Sequence, residues 1–263
     1  MKAKFVLVLV AACMASAPVS GITATKQDNK VNAATDVLQQ FSEIPETNIP
    51  PQLLRQAFGI AVIPNVIKAG LTFGGRYGRG LLTIRDAQGN WSNPTFISLA
   101  GGSFGLQAGI QSTDIILVFK SRRSIDNITG GKLTLGADAS VAAGPVGRHG
   151  SAATDLRFKA EVYSYSRSRG LFAGVALEGA ALTIQNKWNS EFYGKFVTPD
   201  EIFAGLDIDL PAPAQAFISK LNDFTPDVVE ARVVTDTSAP DENSSFTTYP
   251  VAQPETVSEA VEE

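Results

Sequence analysis

The spacing of hydrophobic positions changes twice along the chain. Residues 30–41 repeat apolar side chains at intervals of three and four, which predicts an amphipathic helix. Residues 58–184 instead carry short apolar runs and strict alternation, broken by Gly, Pro and Asn, as strands and turns do. Helical spacing returns after Asn186. The sequence therefore predicts a run of strands between helical ends.

Four of the predicted strand segments have distinctive patterns. Residues 58–67 are apolar with an internal proline, which fits an edge or bent strand. Residues 133–143 alternate large or small apolar side chains with polar ones and predict one strand that ends at a Gly-Pro pair. Residues 156–163 also alternate, and an Arg-Gly turn leads into residues 171–184. The last two segments predict an antiparallel hairpin.

Short helices are predicted on both sides of the strands. One begins after Pro51, one covers residues 121–128 with Ser121 or Ser124 as its cap, and one covers residues 213–222. A further helix starts within the run Thr-Pro-Asp-Glu at residues 198–201, which has the residue types of a capping box.

Strands between helical ends indicate the α+β class, because a parallel sheet would alternate strands with helices. We expect a single domain built on a strongly curved, Gly-rich antiparallel sheet of six or seven strands. The sheet would be half-barrel or sandwich-like and flanked by N- and C-terminal helices. Many inward positions are Gly, Ala or Ser, which bring sheet layers close together or leave room for a ligand.

Residues 70–80, GLTFGGRYGRG, combine glycines with two arginines, as an anion-binding loop or a closely packed strand would. The stretch lacks the Gly-Lys-Ser/Thr of a phosphate-binding P-loop and does not open a helix. We therefore interpret the glycines as serving sheet curvature and close packing. Arg76 and Arg79 stand three apart, so an unbroken strand places them on opposite faces unless a bulge at Gly78 re-aims one.

The two ends of the chain indicate export and a polar tail. Residues 1–24 have two lysines, a short apolar run and small residues, which is the anatomy of a secretory leader. Two processing routes stay open: cleavage near Ala17 to Ala24, or lipid attachment at Cys13, which follows a lipobox-like run. Residues 25–224 would form the domain. Residues 225–263 are acidic and Pro-punctuated, and we expect them to be disordered.

The net charge of −4 is unevenly distributed. Residues 68–169 hold thirteen Lys and Arg against six Asp and Glu, whereas residues 225–263 hold nine acids and one arginine. A basic middle segment indicates an anionic partner. The single cysteine excludes an intrachain disulfide framework and a Cys-based zinc site, and one histidine makes a poor transition-metal site. We expect no metal and no cofactor.

A serine hydrolase is the enzymatic alternative. Residues 101–105, GGSFG, match the pattern of a nucleophile elbow around Ser103, and the only histidine, His149, lies downstream. An elbow needs a strand, a sharp turn and a helix, but the residues that follow are Gly-rich and poor helix formers. The context therefore argues against catalysis here.

Tyrosines and arginines alternate at residues 163–169, and interleaved aromatic and basic side chains can bind nucleic acid. The same alternation is expected from cross-strand pairing. The predicted export and the acidic tail both argue against nucleic-acid binding, so we expect no nucleic-acid partner.

Five ordered motifs carry a family resemblance: LTFGGRYGRG, WSNPTFISLAGGSFGLQAG, LGADASVAAGPVGR, SYSRSRGLFAGVALEGA and NKWNSEFYG. From about residue 32 to residue 203 the chain resembles the SYLF domain family, which includes yeast actin-binding endocytic proteins and many exported bacterial proteins. The resemblance implies lipid binding, known for phosphoinositides in eukaryotic members, and no enzymatic activity. No SH3 or FYVE module accompanies the motifs, which argues against the endocytic and actin-binding roles.

We therefore expect a non-enzymatic domain, exported to the periplasm or outer cell envelope, that engages anionic lipid or a membrane surface. An envelope scaffold that binds a protein partner is the alternative, and such a domain can dock a partner along an exposed strand. The candidate headgroup contacts are six cations of the basic middle segment. They are Lys68, Arg76, Arg79, Arg122, Arg123 and Arg148.

Overall fold

The computed structural model describes residues 24–43, 49–70, 73–104, 109–145, 159–168, 171–205 and 208–225. These residues form six helices and nine strands. The helices are α1 (Lys26–Ser42), α2 (Pro51–Arg55), α3 (Arg122–Thr129), α4 (Asn186–Tyr193), α5 (Pro199–Ala204) and α6 (Ala212–Phe224). The strands are β1 (Gly59–Gly70), β2 (Phe73–Ile84), β3 (Thr95–Phe104), β4 (Gly109–Phe119), β5 (Leu133–Thr134), β6 (Val141–Ala143), β7 (Val162–Ser168), β8 (Leu171–Gly174) and β9 (Ala181–Ile184). Among these helices, none has both the length and the apolar character that a membrane crossing requires.

All nine strands join one sheet in the order β5-β9-β3-β2-β1-β4-β7-β6, with β8 pairing alongside β7. Every pair is antiparallel except β6 with β7, which is parallel. The sheet curls into a half-barrel, and helices stand at both ends of the chain segment that forms it. The predicted α+β class is confirmed. The strand number exceeds the predicted six or seven because β5, β6 and β8 are only two to four residues long.

Local capping signals fix two helix starts. Thr25 Oγ1 accepts a hydrogen bond from the Asp28 amide at 3.0 Å, and the Asp28 carboxylate accepts one from the Thr25 amide at 2.8 Å. This capping box starts α1 at Lys26, four residues before the predicted start. The predicted box of Thr198 and Glu201 is confirmed at α5. Ser121 stands at the N-cap of α3, but its side chain makes no capping hydrogen bond.

One face of the sheet packs against α1, α4 and α6, and we call it the helix face. Phe96 of β3 lies at its centre, where its ring meets Trp188 and Phe192 edge to face at 5.6 and 5.2 Å. Buried Asn189 fixes α4 above it, accepting from the Phe96 amide at 2.7 Å. The strand residues buried on this face are Ile60, Val62, Leu81, Phe96, Ile116, Val118, Tyr163 and Tyr165.

The second face packs against α3 and residues 175–180, and the short strands β5 and β9 add their buried residues to this layer. The sheet curls tightly toward this face because glycines occupy its close contacts. A Cβ atom on Gly80 would lie 2.1 Å from the Val62 carbonyl oxygen, and one on Gly78 would lie 2.7 Å from Val66 Cγ2. The predicted role of the β2 glycines in curvature and close packing is confirmed.

The prediction of one strand over residues 133–143 is wrong. The chain pairs as β5 and β6 only, and a turn lies between them. Asp138 drives that turn, because its carboxylate accepts a hydrogen bond from the Thr134 amide at 2.6 Å. Gly136 completes the turn with a φ of +87°, which an alternating strand does not adopt.

The predicted hairpin around residues 169–170 is confirmed for β7 and β8, which pair antiparallel from Tyr165↔Gly174 to Ser168↔Leu171. The second arm is shorter than predicted, because residues 181–184 leave it and pair with β3 and β5 as β9. The predicted leader with Cys13, the segment with Arg148 and His149, and the predicted acidic tail beyond Thr225 lie outside the described residues.

Candidate functional site

The four central strands extend beyond the layers that cover them. β1 is buried from Gly59 to Pro64, whereas its residues from Ile67 to Gly70 are exposed or half-buried. Its neighbour β4 runs the opposite way and is exposed over residues 109–112 before it becomes buried at Ile115. We call the paired residues 67–70, 73–77, 100–104 and 109–112 the open end of the sheet. Arg76 and the glycines Gly74 and Gly75 of the Gly-rich stretch lie within it.

Arg76 and Arg79 point to opposite faces of the sheet. β2 pairs with β3 in unbroken register from Phe73 to Leu82, so no bulge at Gly78 re-aims either arginine. The irregularity lies in β1 instead, between Val62 and Ile67. Arg79 shares the helix face with Leu81, whereas Arg76 shares the second face with Leu82. The two arginines therefore do not form one cluster.

Lys68 is the direct cross-strand partner of Arg76, and both side chains lie half-buried on the second face. The Ala176 carbonyl accepts a hydrogen bond from Arg76 Nη1 at 3.1 Å, which holds the guanidinium against the sheet. Burial lowers the pKa of Arg76 from its ordinary value. Within the described residues neither cation makes an ion pair, although like charges directly opposite each other are destabilising. This pair is open to an anion.

Arg79 lies on the helix face beside the open end, between two aromatic rings. Its guanidinium carbon stands 4.7 Å from the Trp188 ring centroid and 5.4 Å from that of Tyr77. Lys30 of α1 is a close neighbour and donates to the Pro64 carbonyl at 3.5 Å. Burial lowers the pKa of Lys30, the charge of Arg79 lowers it further, and Asp114 opposes both effects.

The helix face of the open end carries exposed apolar side chains that no sequence signal singled out. Ile67 and Tyr77 are direct cross-strand partners, 51% and 46% exposed, and Ile110 on β4 is 80% exposed. Ala69 pairs with Ile110, and Ala100 pairs with Tyr77, so all five share one face. We call them the apolar patch. Their spacing along each strand is that of core positions, and only the absence of a covering element among the described residues distinguishes them.

The other candidate cations lie elsewhere. Arg122 and Arg123 are exposed on α3, which packs at the Gly59 end of β1. Arg122 stands over the Phe58 ring at 5.6 Å and pairs with Asp126 at 3.9 Å. Lys68 stands nine residues along β1 from Gly59, a distance of about 30 Å in an extended strand. The structure therefore divides the candidates between two ends of the sheet, and Arg148 lies outside the described residues.

The hydrolase hypothesis finds no supporting geometry in the described residues. Ser103 lies within β3, paired with Gly74 of β2, and β4 begins at Gly109. A strand followed so closely by another strand is not the strand, turn and helix of a nucleophile elbow. The described residues also contain no cluster of His, Cys, Asp or Glu that could hold a metal ion. The open end offers charge and apolar surface, which suit binding.

Comparison with known proteins agrees with a binding domain. A family model described as "Ysc84: Las17-binding protein actin regulator" matches residues 100–224. The SH3 domain-containing YSC84-like protein 1 of Rattus norvegicus is 36% identical over 203 residues, which are 75% of this chain and 59% of the rat protein. The human protein of the same name is 37% identical over 194 residues, 72% of this chain and 56% of its own length.

A fungal relative extends the comparison. LAS seventeen-binding protein 3 of Saccharomyces cerevisiae is 39% identical over 160 residues, which are 60% of this chain and 35% of the yeast protein. The chain thus spans less than two thirds of the length of the relatives it matches. Three of the five ordered motifs, those that begin at Leu135, Ser164 and Asn186, lie wholly within the residues that the family model matches. The chain therefore belongs to the SYLF domain family.

Proposed function

We propose that this SYLF protein is an exported, non-enzymatic domain that binds anionic lipid at a membrane surface through the cations of its open end. The observation that carries the proposal is the pairing of Lys68 with Arg76. Two cations stand directly opposite each other, half-buried, with no ion pair among the described residues. A phosphate group bound between them would relieve their repulsion and accept charge-assisted hydrogen bonds from both.

Arg76 is suited to that role. One guanidinium nitrogen is held by the Ala176 carbonyl, and the group has five N–H donors in all, so donors remain for a ligand. Partial desolvation strengthens its interaction with an anion, because the local dielectric is lower than in water. Arg79 and Lys30 add positive charge on the opposite face of the same end. A membrane that meets the end of the sheet would contact both groups.

Vesicle flotation tests this proposal. We expect recovery with phosphatidylglycerol vesicles, little recovery with phosphatidylcholine vesicles, and weaker binding as salt is added. The double variant K68Q/R76Q should bind about thirtyfold more weakly, since each cation near an anionic surface contributes about 1 kcal/mol. R122Q/R123Q is the matched control, because it removes the same charge at the far end of the sheet and should bind like the parent. Equal recovery with neutral and anionic vesicles would contradict the proposal.

Export is tested separately by mass spectrometry of the protein isolated from cells. We expect either a new N-terminus near Gly21 or a diacylated Cys13, which would place the domain in the periplasm or the outer envelope. An intact Met1 on the mature protein would contradict export. It would leave the lipid-binding surface itself unaffected, because that surface lies wholly within residues 30–176.

A protein-binding module of the cell envelope is the second candidate function. Residues 102–104 of β3 pair with β2 only, because β9 begins at Ala181, which lies opposite Ala100. Within the described residues this edge is free to accept a partner strand. The family description, Las17-binding, is also that of a protein-interaction domain. A pull-down that recovers one stoichiometric protein, with no vesicle binding, would favour this candidate.

A further inference from the structure

The described residues expose four large hydrophobic side chains, and three of them meet on one face of the open end. Ile67, Tyr77 and Ile110 belong to the apolar patch, and the fourth, Phe196, follows α4 elsewhere. Single exposed apolar side chains are ordinary in soluble proteins, but a contiguous group marks an interaction surface. Three neighbours on adjacent strands form such a group.

The patch is not required by the packing of the fold. Small residues surround the three large ones: Ala69 and Ala100 belong to the patch, and Gly75 and Gly102 continue it. A Cβ atom built on Gly102 would meet nothing within 4 Å. The second face of the same strands shows the opposite, because a Cβ on Gly74 would lie 2.3 Å from the Ala69 carbonyl oxygen. The glycines of the patch therefore present open surface.

The charges around the patch are mainly positive. On the same face, Arg79 stacks against Tyr77, and Lys30 stands close to Arg79. The neighbouring acid is Asp114, whose carboxylate already accepts a hydrogen bond from the Asn65 amide at 2.9 Å. On the reverse face lie Lys68 and Arg76. Apolar side chains and a tyrosine bordered by Lys and Arg are the composition of surfaces that lie in the membrane interface.

We propose that the apolar patch inserts into an anionic bilayer, with Ile67, Tyr77 and Ile110 below the level of the phosphates and the surrounding cations at that level. This inference rests on the proposed function and adds the hydrophobic half of the contact. A second copy of the chain fits less well. A two-fold contact through this patch would bring Arg79 and Lys30 of both copies together, and like charges across an interface oppose association.

Vesicle binding at high salt separates insertion from surface attraction. The parent protein should keep a salt-resistant fraction on phosphatidylglycerol vesicles, because buried apolar area is not screened. The variant I67S/I110S should lose that fraction, with at least about tenfold weaker partitioning. The control F196S removes a side chain that is 79% exposed, nearly as much as Ile110. It should bind like the parent, because the Tyr193 hydroxyl ties the end of α4 to Pro94, at the covered end of β3.

A tryptophan placed in the patch reports depth directly. In I110W, vesicles with bromine-labelled acyl chains should quench the new indole and shift its emission to shorter wavelength. In F196W they should not. The natural Trp91 is 7% exposed and Trp188 is half-buried, so the parent protein supplies the baseline. Light scattering of the parent and of I67S/I110S gives the oligomeric state of each protein in solution.

The outcomes distinguish the two proposals. If I67S/I110S binds anionic vesicles like the parent and I110W is not quenched, insertion is overturned while the electrostatic function stands. If the parent protein binds no vesicles, both are overturned. If I67S/I110S instead converts a dimer to a monomer and leaves vesicle binding unchanged, the occupant of the patch is a second copy of the chain and the membrane inference fails.

Discussion

The two halves of β4 have opposite surroundings. Residues 115–119 are covered on both faces of the sheet and are buried, whereas residues 109–112 are exposed. β1 repeats the contrast in reverse, because the two strands are antiparallel. Ile116 and Ile110 thus stand on the same strand and the same face, one fully buried and the other 80% exposed.

This contrast separates what the fold needs from what it presents. In the covered half, side chains fill the space between the sheet and its helices, so their volume and shape are constrained by close packing. In the open end, the backbone hydrogen bonds of the sheet continue, but the side chains contribute little buried area. Their identity is therefore free to serve binding, and an apolar patch there is a feature that stability alone does not explain.

The sharpest test compares the two isoleucines. Ile116→Ala should lower the free energy of unfolding by about 2–5 kcal/mol, because it leaves a cavity in a closely packed layer. Ile110→Ala should change it by less than about 0.5 kcal/mol, as an exposed substitution does. Urea denaturation of both variants measures the difference. A large loss for Ile110→Ala would show that the open end is covered in solution.

Two glycines test the contrast through added volume. Gly80→Ala should cost about 3 kcal/mol, because its Cβ would lie 2.1 Å from one backbone atom of β1 and 2.6 Å from another. Gly102→Ala meets nothing within 4 Å and should be neutral or slightly stabilising, since alanine restricts the unfolded chain. Thermal unfolding compares them. Equal melting temperatures would mean that the sheet is less tightly curled at Gly80 than the structure shows.

Hydrogen bonds should show the same asymmetry. Asn189→Ala removes the acceptor of the Phe96 amide in a fully buried site and should cost about 2 kcal/mol. Gln111→Ala removes an exposed bond of 3.2 Å to Ser168 at the open end and should cost less than about 0.5 kcal/mol. Amide hydrogen exchange at Phe96 adds a local measurement. Unchanged protection there in Asn189→Ala would refute the role given to α4.

Local signals in the sequence predicted much of the fold. The capping box at Thr198 depends on four consecutive residues, so it is complete in the sequence. The Gly-rich stretch was correctly predicted as a strand that shapes a curved sheet, because glycine inside a strand usually marks a bend, a bulge or a close backbone contact. The turn at Gly136 was missed, since Asp138 and Thr134 fit an alternating pattern as well as a turn.

The site was harder to predict because it depends on which parts of the sheet the helices cover. Ile67 and Ile116 both look like core residues, and only the positions of α1, α4 and α6 decide which of them is buried. Those helices come from distant parts of the chain, so periodicity within a strand cannot reveal where their cover stops. The cations were easier to nominate, but the sequence did not show that Arg76 pairs with Lys68 or that α3 stands at the other end.

Lys30 lies where the covered half meets the open end, and its variant should have the smallest effect. Burial and then Arg79 lower its pKa below the ordinary value of 10.5, so the folded state disfavours its charge. Lys30→Met should therefore raise stability at neutral pH by a few tenths of a kcal/mol, after solvent screening. The parent binds fewer protons when folded than when unfolded at pH values between the two pKa values, so its stability rises with pH there and the gain of the variant shrinks. Denaturation at pH 7 and near pH 10 measures this difference in the free energy of unfolding between Lys30→Met and the parent.

In an Asp114→Asn background the same difference should be larger at neutral pH, because Asp114 is the charge that favours protonated Lys30. If the difference in free energy of unfolding between Lys30→Met and the parent does not change with pH, Lys30 is as well solvated as the residues of the open end. The border between the covered half and the open end would then lie deeper in the sheet.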